Sequence, residues 1–417
     1  MADMNNVTLN VGDEIRRLVD VSVFRGKRIL LIVPDRTRTC PVGEIVKTLY
    51  AVLEADVPCM DVLIALGTHP SLTEEELCAH LGLCPETRRA DFPKMELFNH
   101  CWNDPDCLKE IGVIPQEEIR ELTEGRLDEA VPVNINALIF EYDHLLIIGP
   151  VFPHEVAGFS GGTKYFFPGI SGPDVIDLFH WLGGLIGNMN LIGCIDNPVR
   201  RIFHRAAQFI NIPVHNLALV MRGKLPDSVF YGEMQPAWHA AAERSRQINV
   251  RYMPQKYKTV FSCAPLMYTD LWTGAKCLYK AEPVVEDGGT LIIYAPHIGT
   301  FSYSHPVMEE ETGVHVIDWY VSGPGRKLIG RVPRTVLGVA SYMKGAGTFS
   351  DGVERPRINV VLSTGIPEEV CRRCSVGYLN PASVNPEEWK DREDEGILFI
   401  ERGGEVLYLT EPAQKPV

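Results

Sequence analysis

A length of 417 residues exceeds what one ordinary hydrophobic core organises, and it predicts two or three domains. The composition, 45% hydrophobic and 23% charged, is typical of a soluble globular protein. A formal net charge of -14 argues against nucleic acid or an anionic membrane as a partner, and no apolar run is long enough to span a bilayer. The eleven cysteines are scattered and residues 1–6 carry no export signal, so we expect a cytoplasmic protein with reduced thiols.

Apolar runs alternate with helical patterns through the first half of the chain. Helices are predicted at 44–50 and 175–186, and Thr73 precedes three glutamates in the manner of a helix N-cap. Strands that alternate with helices indicate an α/β fold. The uninterrupted apolar runs predict strands covered on both faces, as in a parallel sheet, at 28–33, 61–66, 137–140 and 145–150.

A second α/β domain is predicted to follow residue 257. The segment 247–257 is polar and basic and a new apolar run begins directly after it, so we place the domains at 1–257 and 258–417. The predicted elements of the second domain are strands at 259–264 and 290–295, a helix at 271–278 and a C-terminal hairpin of 396–400 and 405–409.

Polar side chains follow three of the predicted strands. The first group is 35–38, Asp-Arg-Thr-Arg, in which arginine suits binding of a carboxylate or phosphate, although a surface turn with a local ion pair explains it equally well. His69 follows the second strand, and His154 follows the strand at 145–150. Strand ends of one parallel sheet meet at one edge, where ligands collect in α/β proteins. This arrangement predicts a shared active site at that edge.

A glycine-rich stretch follows His154. Six glycines lie between 149 and 172, and this density predicts close approach of the backbone to a ligand, because glycine has no side chain to block it. Ser160-Gly161-Gly162-Thr163-Lys164 is only superficially like a phosphate-binding P-loop, since the required spacing is absent. Lys164 precedes aromatic residues and is interpreted either as a nucleophile with a lowered pKa or as a surface lysine.

Two sets of residues are possible zinc ligands. His69, His154 and His180 supply three imidazoles, the number found in many hydrolytic zinc sites, but no pair has helical i, i+4 spacing. Cys371 and Cys374 have C-x-x-C spacing without a second such pair, which favours ordinary thiols. The remaining histidines show no motif and are interpreted as structural or exposed.

Together these stretches resemble the nickel-pincer lactate racemase family. The resemblance lies in 35–38, in Gly67-Thr68-His69, and above all in the long motif Pro153-His154-x-x-Ala157-Gly158-Phe159-Ser160-Gly161-Gly162-x-Lys164. Lys164 follows His154 by ten residues and His180 follows Lys164 by sixteen, as in the family. The resemblance continues through Lys276 and 286–289, so it covers most of the chain.

The resemblance implies two α/β domains with the active site in the cleft between them. It also implies a nickel-pincer nucleotide, a pyridinium-3,5-bisthiocarboxylic acid mononucleotide with Ni, tethered at the lysine that matches Lys164. His180 matches the protein ligand to nickel, and tetragonal coordination suits Ni(II). The remaining cofactor-binding positions carried over from the motifs are Asp35, Thr37, Ser160, Gly161 and Gly162.

The implied reaction inverts a 2-hydroxy acid by moving its carbon-bound hydrogen as hydride, which a cofactor must accept. His69 and His154 match the two histidines that exchange the hydroxyl proton on opposite faces of the substrate. Arg38 matches the residue that polarises the substrate oxygen, and Lys276 matches one that holds the carboxylate. Asp35 is expected to position the cofactor or Arg38.

One position departs from the lactate-specific pattern, which has glutamine where this chain has Thr273. The shorter side chain leaves room for a substrate larger than lactate. Trp272, Tyr268, Tyr294 and His297 are candidates to line that space. We therefore expect a racemase or 2-epimerase of a larger 2-hydroxy acid, with an aldonate such as gluconate first and a short-chain aliphatic 2-hydroxy acid second.

Two other functions remain open at this stage. A histidine-zinc hydrolase would carry zinc and no adduct on Lys164, and a non-enzymatic carrier of the nickel cofactor would need Lys164 and His180 but not His69 or His154. The presence of both acid-base histidines favours the enzyme. The expected partners are a small-molecule 2-hydroxy acid and the proteins that make the nickel cofactor, and self-association into a homo-oligomer stays open.

Overall fold

A computed structural model describes residues 9–411. Residues 1–6, on which the expectation of a cytoplasmic protein partly rests, lie outside this range. Within residues 9–411 the chain forms two compact units, of which the first comprises 9–152, Ser160–Ile176 and Arg200–Ile248. The second comprises Pro153–Phe159, Asp177–Val199 and 249–411. The predicted boundary at 257/258 stays a prediction, because compactness alone does not define an independent domain.

The strands of both units, numbered along the chain, are β1 Ile29–Pro34, β2 Met60–Ala65, β3 Leu97–Asn99, β4 Leu108–Ile114, β5 Val131–Asn136, β6 His144–Pro150, β7 Pro153–His154, β8 Gly158–Phe159, β9 Val214–Arg222, β10 Leu225–Glu233, β11 Val250–Met253, β12 Tyr257–Cys263, β13 Val285–Ala295, β14 Gly347–Ser350, β15 Val353–Pro356, β16 Asn359–Thr364, β17 Gly377–Tyr378, β18 Ile397–Ile400 and β19 Leu407–Thr410. The α-helices are α1 Val11–Leu18, α2 Val42–Leu53, α3 Glu74–Leu81, α4 Arg88–Asp91, α5 Gln116–Leu122, α6 Pro173–Ile186, α7 Asn188–Leu191, α8 Pro198–Ala207, α9 Met234–Asn249, α10 Leu271–Gly274, α11 Lys276–Tyr279, α12 Ile317–Val321, α13 Arg334–Lys344 and α14 Glu368–Arg373.

The first unit is built on a six-stranded sheet of order β10-β9-β6-β1-β2-β3. All neighbours pair in parallel except β10 with β9. Every residue of β1 and β6 is buried, which explains why these strands are apolar without interruption. The predicted strands at 28–33, 61–66 and 145–150 are confirmed, and so is the α/β class.

Helix α3 begins as its sequence predicts. The Thr73 hydroxyl accepts from the Glu76 backbone N–H, and the Glu76 carboxylate accepts from the Thr73 N–H, which completes a capping box. Gly82 ends the helix in the left-handed conformation. The helices predicted at 44–50 and 175–186 are present as α2 and α6.

The predicted strand at 137–140 is wrong. Ala137–Glu141 forms a 3-10 helix, whose first turn is held by the Asn136 side chain accepting from the Leu138 N–H at 3.0 Å. An Asn cap offers the backbone a local partner that competes with a strand ladder. The helix predicted at 271–278 is divided into α10 and α11 at Ala275.

The second unit contains a fully parallel sheet of order β17-β16-β13-β12-β18. The predicted C-terminal hairpin is wrong, because β18 pairs in parallel with β12 while β19 pairs in parallel with β11. The connecting turn is docked on the protein: the Gly403 N–H donates to the Cys263 carbonyl at 2.8 Å, and a side chain at Gly403 would overlap Ser262. Among residues 9–411 no helix combines the length and apolar character needed to cross a bilayer.

Candidate active site

The ends of β1 and β2 bring two predicted site residues together in the first unit. These strands are parallel neighbours, with Pro34 beside Ala65 at their last paired position. Asp35 follows β1, and His69 lies four residues after β2 in a turn closed by its N–H on the Leu66 carbonyl at 3.0 Å. The predicted convergence of these two side chains at one sheet edge is therefore observed.

The Asp35 carboxylate bonds to Nδ1 of His69. It also accepts from the backbone N–H and the hydroxyl of Thr37 at 3.1 and 2.7 Å. Burial raises the pKa of the Asp35 carboxyl, but His69, Arg38 and Thr37 hold that pKa well below its usual range. An ionised carboxylate only accepts, so Nδ1 of His69 carries the proton and Nε2 of the neutral ring is the basic nitrogen.

The bond between Asp35 and His69 is a partnership that sequence reasoning missed. The two residues are 34 positions apart, and no local motif links them. Arg36, by contrast, is exposed and pairs with Glu76 at 2.8 Å. Arg38 is half-buried and close enough to lower the pKa of the Asp35 carboxyl.

The glycine-rich loop owes its glycines to packing within the first unit. Gly161 and Gly162 have φ of +79° and +60°, which L side chains rarely adopt. A Cβ at Gly161 would lie 2.8 Å from Val151, and one at Gly162 would lie 2.8 Å from the Trp238 ring. Protein contacts therefore explain these two glycines, whereas the sequence suggested approach to a ligand.

Ser160 is likewise engaged by the protein. Its hydroxyl donates to the Pro150 carbonyl and accepts from the Phe152 N–H, both at 2.9 Å. Trp238 donates its indole N–H to the Ser160 carbonyl at 2.8 Å. The buried Arg200 donates to the Gly161 carbonyl at 3.1 Å, so the loop backbone is held from two sides.

Lys164 is half-buried in a 3-10 turn, Gly162–Tyr165, directly after this loop. Its carbonyl accepts from the Gly169 N–H at 3.1 Å. The Gly169 carbonyl accepts from the Gly67 N–H at 2.9 Å, two residues before His69. The lysine turn and the histidine turn are thus joined by backbone hydrogen bonds.

His154 belongs to the second unit and is buried in the short pair β7–β8. Its Nδ1 accepts from the N–H groups of Val156 and Ala157 at 3.2 and 3.3 Å. The neutral ring must therefore carry its proton on Nε2, opposite to the arrangement at His69. Glu155 lies 3.5 Å from Nδ1 and would stabilise the ring when it is doubly protonated.

His180 lies on α6 in the second unit, where Thr335 fixes its ring. The Thr335 hydroxyl is 3.1 Å from Nδ1, and the Thr335 N–H donates to Asp177 at 3.1 Å. Tyr342 donates its hydroxyl to the His180 carbonyl, and Gly338 packs on that carbonyl so closely that a side chain would overlap it. Sequence reasoning missed Thr335, which lies 155 positions from His180.

Aromatic rings surround His180 within the second unit. The Phe179 ring centroid lies 4.5 Å from that of His180 and 6.1 Å from that of His154. Trp272 lies edge-on to His180 at 6.2 Å and is tilted against His305 at 4.7 Å. His305, which the sequence led us to treat as structural, is therefore part of this cluster.

The other predicted substrate residues form a second group in that unit. The Lys276 ammonium lies 4.9 Å from the Tyr268 ring centroid, and Tyr268 accepts at its carbonyl from Nε2 of His297 at 3.0 Å. Thr273 uses its hydroxyl to donate to Asp270 at 2.9 Å. Tyr294 packs on Phe261, with ring centroids 5.6 Å apart.

Comparison with known proteins identifies the family. Residues 16–190 match the lactate racemase N-terminal domain. The lactate racemase of Thermoanaerobacterium thermosaccharolyticum is 26% identical over 67% of this chain, and that of Lactiplantibacillus plantarum is 24% identical over 73%. The chain is thus similar to lactate racemases, most specifically in its N-terminal part. These alignments span 62% and 69% of the two racemases, respectively, so the first covers less than two thirds of its relative.

Solved structures extend the similarity of this lactate racemase-like chain over nearly its whole length. A protein from Thermotoga maritima has 32% sequence identity and a TM-score of 0.84, with 96% of each chain covered. The lactate racemase apoprotein from T. thermosaccharolyticum has 18% identity and a TM-score of 0.70, covering 95% of this chain and 92% of that one, which supports the fold.

The side chains fit the cofactor implied by the family at two points. His180 has Nδ1 engaged by Thr335, as metal-binding histidines usually have, so Nε2 is the nitrogen that would bind nickel. Lys164 lies in a 3-10 turn, and backbone hydrogen bonds fix the conformation of that turn. No three His, Cys, Asp or Glu side chains in residues 9–411 are grouped so as to hold a metal ion.

Proposed function

We propose that this protein is a racemase or 2-epimerase of a 2-hydroxy acid that works with a nickel-pincer nucleotide. The observation that carries the proposal is that Nδ1 contacts opposite kinds of partner in the two predicted acid-base histidines, a carboxylate at His69 and backbone N–H groups at His154. His69 is held with Nε2 as a base, because Asp35 accepts from Nδ1. His154 is held with Nε2–H as a donor, because backbone N–H groups bond to Nδ1. Inversion of a hydroxy acid needs one group that takes the hydroxyl proton and one that returns it.

The proposed roles of the remaining polar residues follow from their chemistry. Lys164 would tether the nucleotide, and His180 would bind nickel through Nε2. When bound, the cofactor would supply the acceptor and donor of the substrate hydride. Asp35 would orient His69, and Thr37 would orient Asp35 through its two hydrogen bonds. Ser160, Gly161 and Gly162 would shape the loop that presents Lys164, since their side-chain and backbone contacts are to the protein.

The substrate is proposed to be larger than lactate, with an aldonate such as gluconate first. Arg38 and Lys276 are the cations suited to its oxygen and carboxylate. Thr273 is shorter than the glutamine of the lactate pattern, and its hydroxyl already bonds to Asp270. Trp272, Tyr294 and His297 offer ring and hydroxyl surface for a longer substrate. A short-chain aliphatic 2-hydroxy acid is the second choice.

The test is intact-protein mass and metal content, measured on protein made in cells that also produce the pincer cofactor. We expect a nucleotide-sized adduct and about one nickel per chain, as for a single-metal site. Lys164→Ala should abolish the adduct, whereas Lys224→Ala, at an exposed lysine, should keep it. A panel of lactate, gluconate and branched 2-hydroxy acids then tests the substrate proposal.

Each alternative outcome points to a different function. Unmodified protein that carries zinc and hydrolyses esters or amides would replace the racemase with a hydrolase. Nickel and adduct without turnover of any acid, unaffected by loss of His69 and His154, would identify a cofactor carrier. Turnover of lactate alone would refute the larger substrate while leaving the reaction class intact.

A further inference from the structure

The hydroxyl of Tyr165, next to Lys164, occupies a notch at the end of strand β6. Tyr165 is buried, with 9% of its surface exposed. Its hydroxyl lies directly over Gly149, so closely that a side chain there would overlap it. Gly149 is thus required because this phenol crosses the strand at that point.

The notch lies beside Asp35. Strands β1 and β6 are parallel, with Ile29 beside His144 and Ile32 beside Ile147. Continuing this register by two residues places Pro34 beside Gly149, and Asp35 comes next. The Tyr165 hydroxyl therefore lies at the sheet edge that carries Asp35, Arg38 and the turn that contains His69.

No hydrogen bond between this hydroxyl and another residue is seen within residues 9–411. Asp35, whose charge acts on this phenol, is already engaged by His69 and Thr37. Burial raises the pKa of Tyr165 well above its usual value, with Cys40 and Asp35 adding to the rise and Arg38 opposing it. The phenol is accordingly a neutral donor with Arg38 nearby.

We propose that Tyr165 is a substrate-binding residue, whose hydroxyl donates to the same oxyanion that Arg38 binds. The ligand class is the carboxylate or hydroxyl oxygen of a 2-hydroxy or 2-keto acid. This inference rests on the proposed function for the identity of the ligand, and it adds a residue that the sequence motifs did not include. The Tyr165 hydroxyl and the Arg38 guanidinium are two donors of different geometry. Such a pair favours a planar carboxylate, which has two acceptor oxygens, over a ligand with a single acceptor atom.

The experiment measures oxalate binding by calorimetry to the full chain, with and without cofactor, in wild type and Tyr165→Phe. Oxalate presents two adjacent carboxylates and cannot react by hydride transfer. A lost hydrogen bond to a charged group predicts affinity weaker by roughly tenfold or more. Tyr231→Phe is the matched control, because Tyr231 is in the same unit and its buried hydroxyl also has no partner within residues 9–411.

The possible results separate this inference from the proposed function. Weaker oxalate binding in Tyr165→Phe alone supports the inference, whether or not the loaded protein racemises any acid. Equal binding in wild type and Tyr165→Phe, a similar loss in Tyr231→Phe, or no binding to wild type overturns it. Racemisation by wild type with an unchanged KM in Tyr165→Phe would also overturn it, and the proposed function would then stand by itself.

Discussion

Replacing Thr335 by valine tests whether the second unit is built to orient His180 as a metal ligand. Valine has nearly the shape of threonine, and Thr335 is only 2% exposed, so packing should be retained. The Thr335 N–H keeps its bond to Asp177, because that bond uses the backbone. The change therefore removes the hydroxyl and with it the 3.1 Å contact to Nδ1 of His180.

Two magnitudes follow from the loss of this contact. A neutral hydrogen bond contributes about 1 kcal/mol to stability, so the free energy of unfolding should fall by roughly that amount. Loss of a residue that orients a metal-binding histidine typically weakens metal binding by about 10- to 100-fold, because the ring is no longer fixed in orientation and tautomer. Thr335→Val should thus weaken nickel binding by more free energy than it removes from the stability of the fold.

The assay is nickel retention during a chelator challenge, followed by mass spectrometry, with urea unfolding measured in parallel. Thr335→Ser is the control, because it keeps the hydroxyl and loses only the methyl group. We expect Thr335→Val to lose nickel at least tenfold more readily than Thr335→Ser. If the two variants retain nickel equally, Thr335 only packs against α6 and the orientation argument is wrong.

Three further predictions concern the first unit. Asp35→Asn should lower kcat by about 10²- to 10⁴-fold with little change in KM, because the amide no longer fixes Nδ1–H on His69, and steady-state kinetics would show it. Gly162→Ala should cost at least 1 kcal/mol in urea unfolding, because its φ is +60° and its Cβ would meet Trp238. Burial lowers the pKa of His144 to about 4. The free energy of unfolding should therefore fall by about 3 kcal/mol between pH 6.5 and pH 4, and in His144→Gln it should depend less on pH over that range.

The controls for these variants separate site effects from global ones. Asp35→Asn should keep the Lys164 adduct, and loss of the adduct would show that Asp35 acts on cofactor loading. A Gly162→Ala protein as stable as wild type would contradict the packing explanation. For His144 the sign is fixed by linkage: the unfolded chain binds the proton first, so stability is lost as pH falls and not as it rises. If the free energy of unfolding of His144→Gln depends on pH as that of wild type does, the assignment of this pH dependence to His144 is wrong.

The parts of the fold that could be predicted are those dictated by short stretches of sequence. Strand β1 is apolar throughout because it is buried throughout, and Thr73 caps α3 with a partner three residues away. The failures occur where a distant partner decides the outcome. β18 and β19 look like a hairpin, yet each pairs with a strand more than a hundred residues earlier in the chain. Turn composition cannot reveal that choice.

The candidate site shows the same division. Residues 35–38 and His69 were placed at one sheet edge because parallel strand ends meet there, and β1 and β2 confirm it. The two contacts that give the site its proposed chemistry were not predictable, since Asp35 bonds to a residue 34 positions away and His180 to one 155 positions away. A sequence motif gives residue types, whereas the tautomer of a histidine depends on which partner each ring nitrogen contacts.

The glycine-rich loop shows that packing alone can account for glycines that the sequence assigned to a ligand. The sequence suggested that glycine lets a ligand approach the backbone. In the structure, the missing side chain at Gly162 leaves space for the Trp238 ring, and the missing side chain at Gly149 leaves space for the Tyr165 phenol. Each of these glycines therefore makes space for an aromatic side chain, and one of those side chains is a proposed ligand donor. Substitution at Gly149 should then reduce oxalate binding by displacing Tyr165, while substitution at Gly162 should chiefly reduce stability. The same residue type serves the site in one position and the fold in the other.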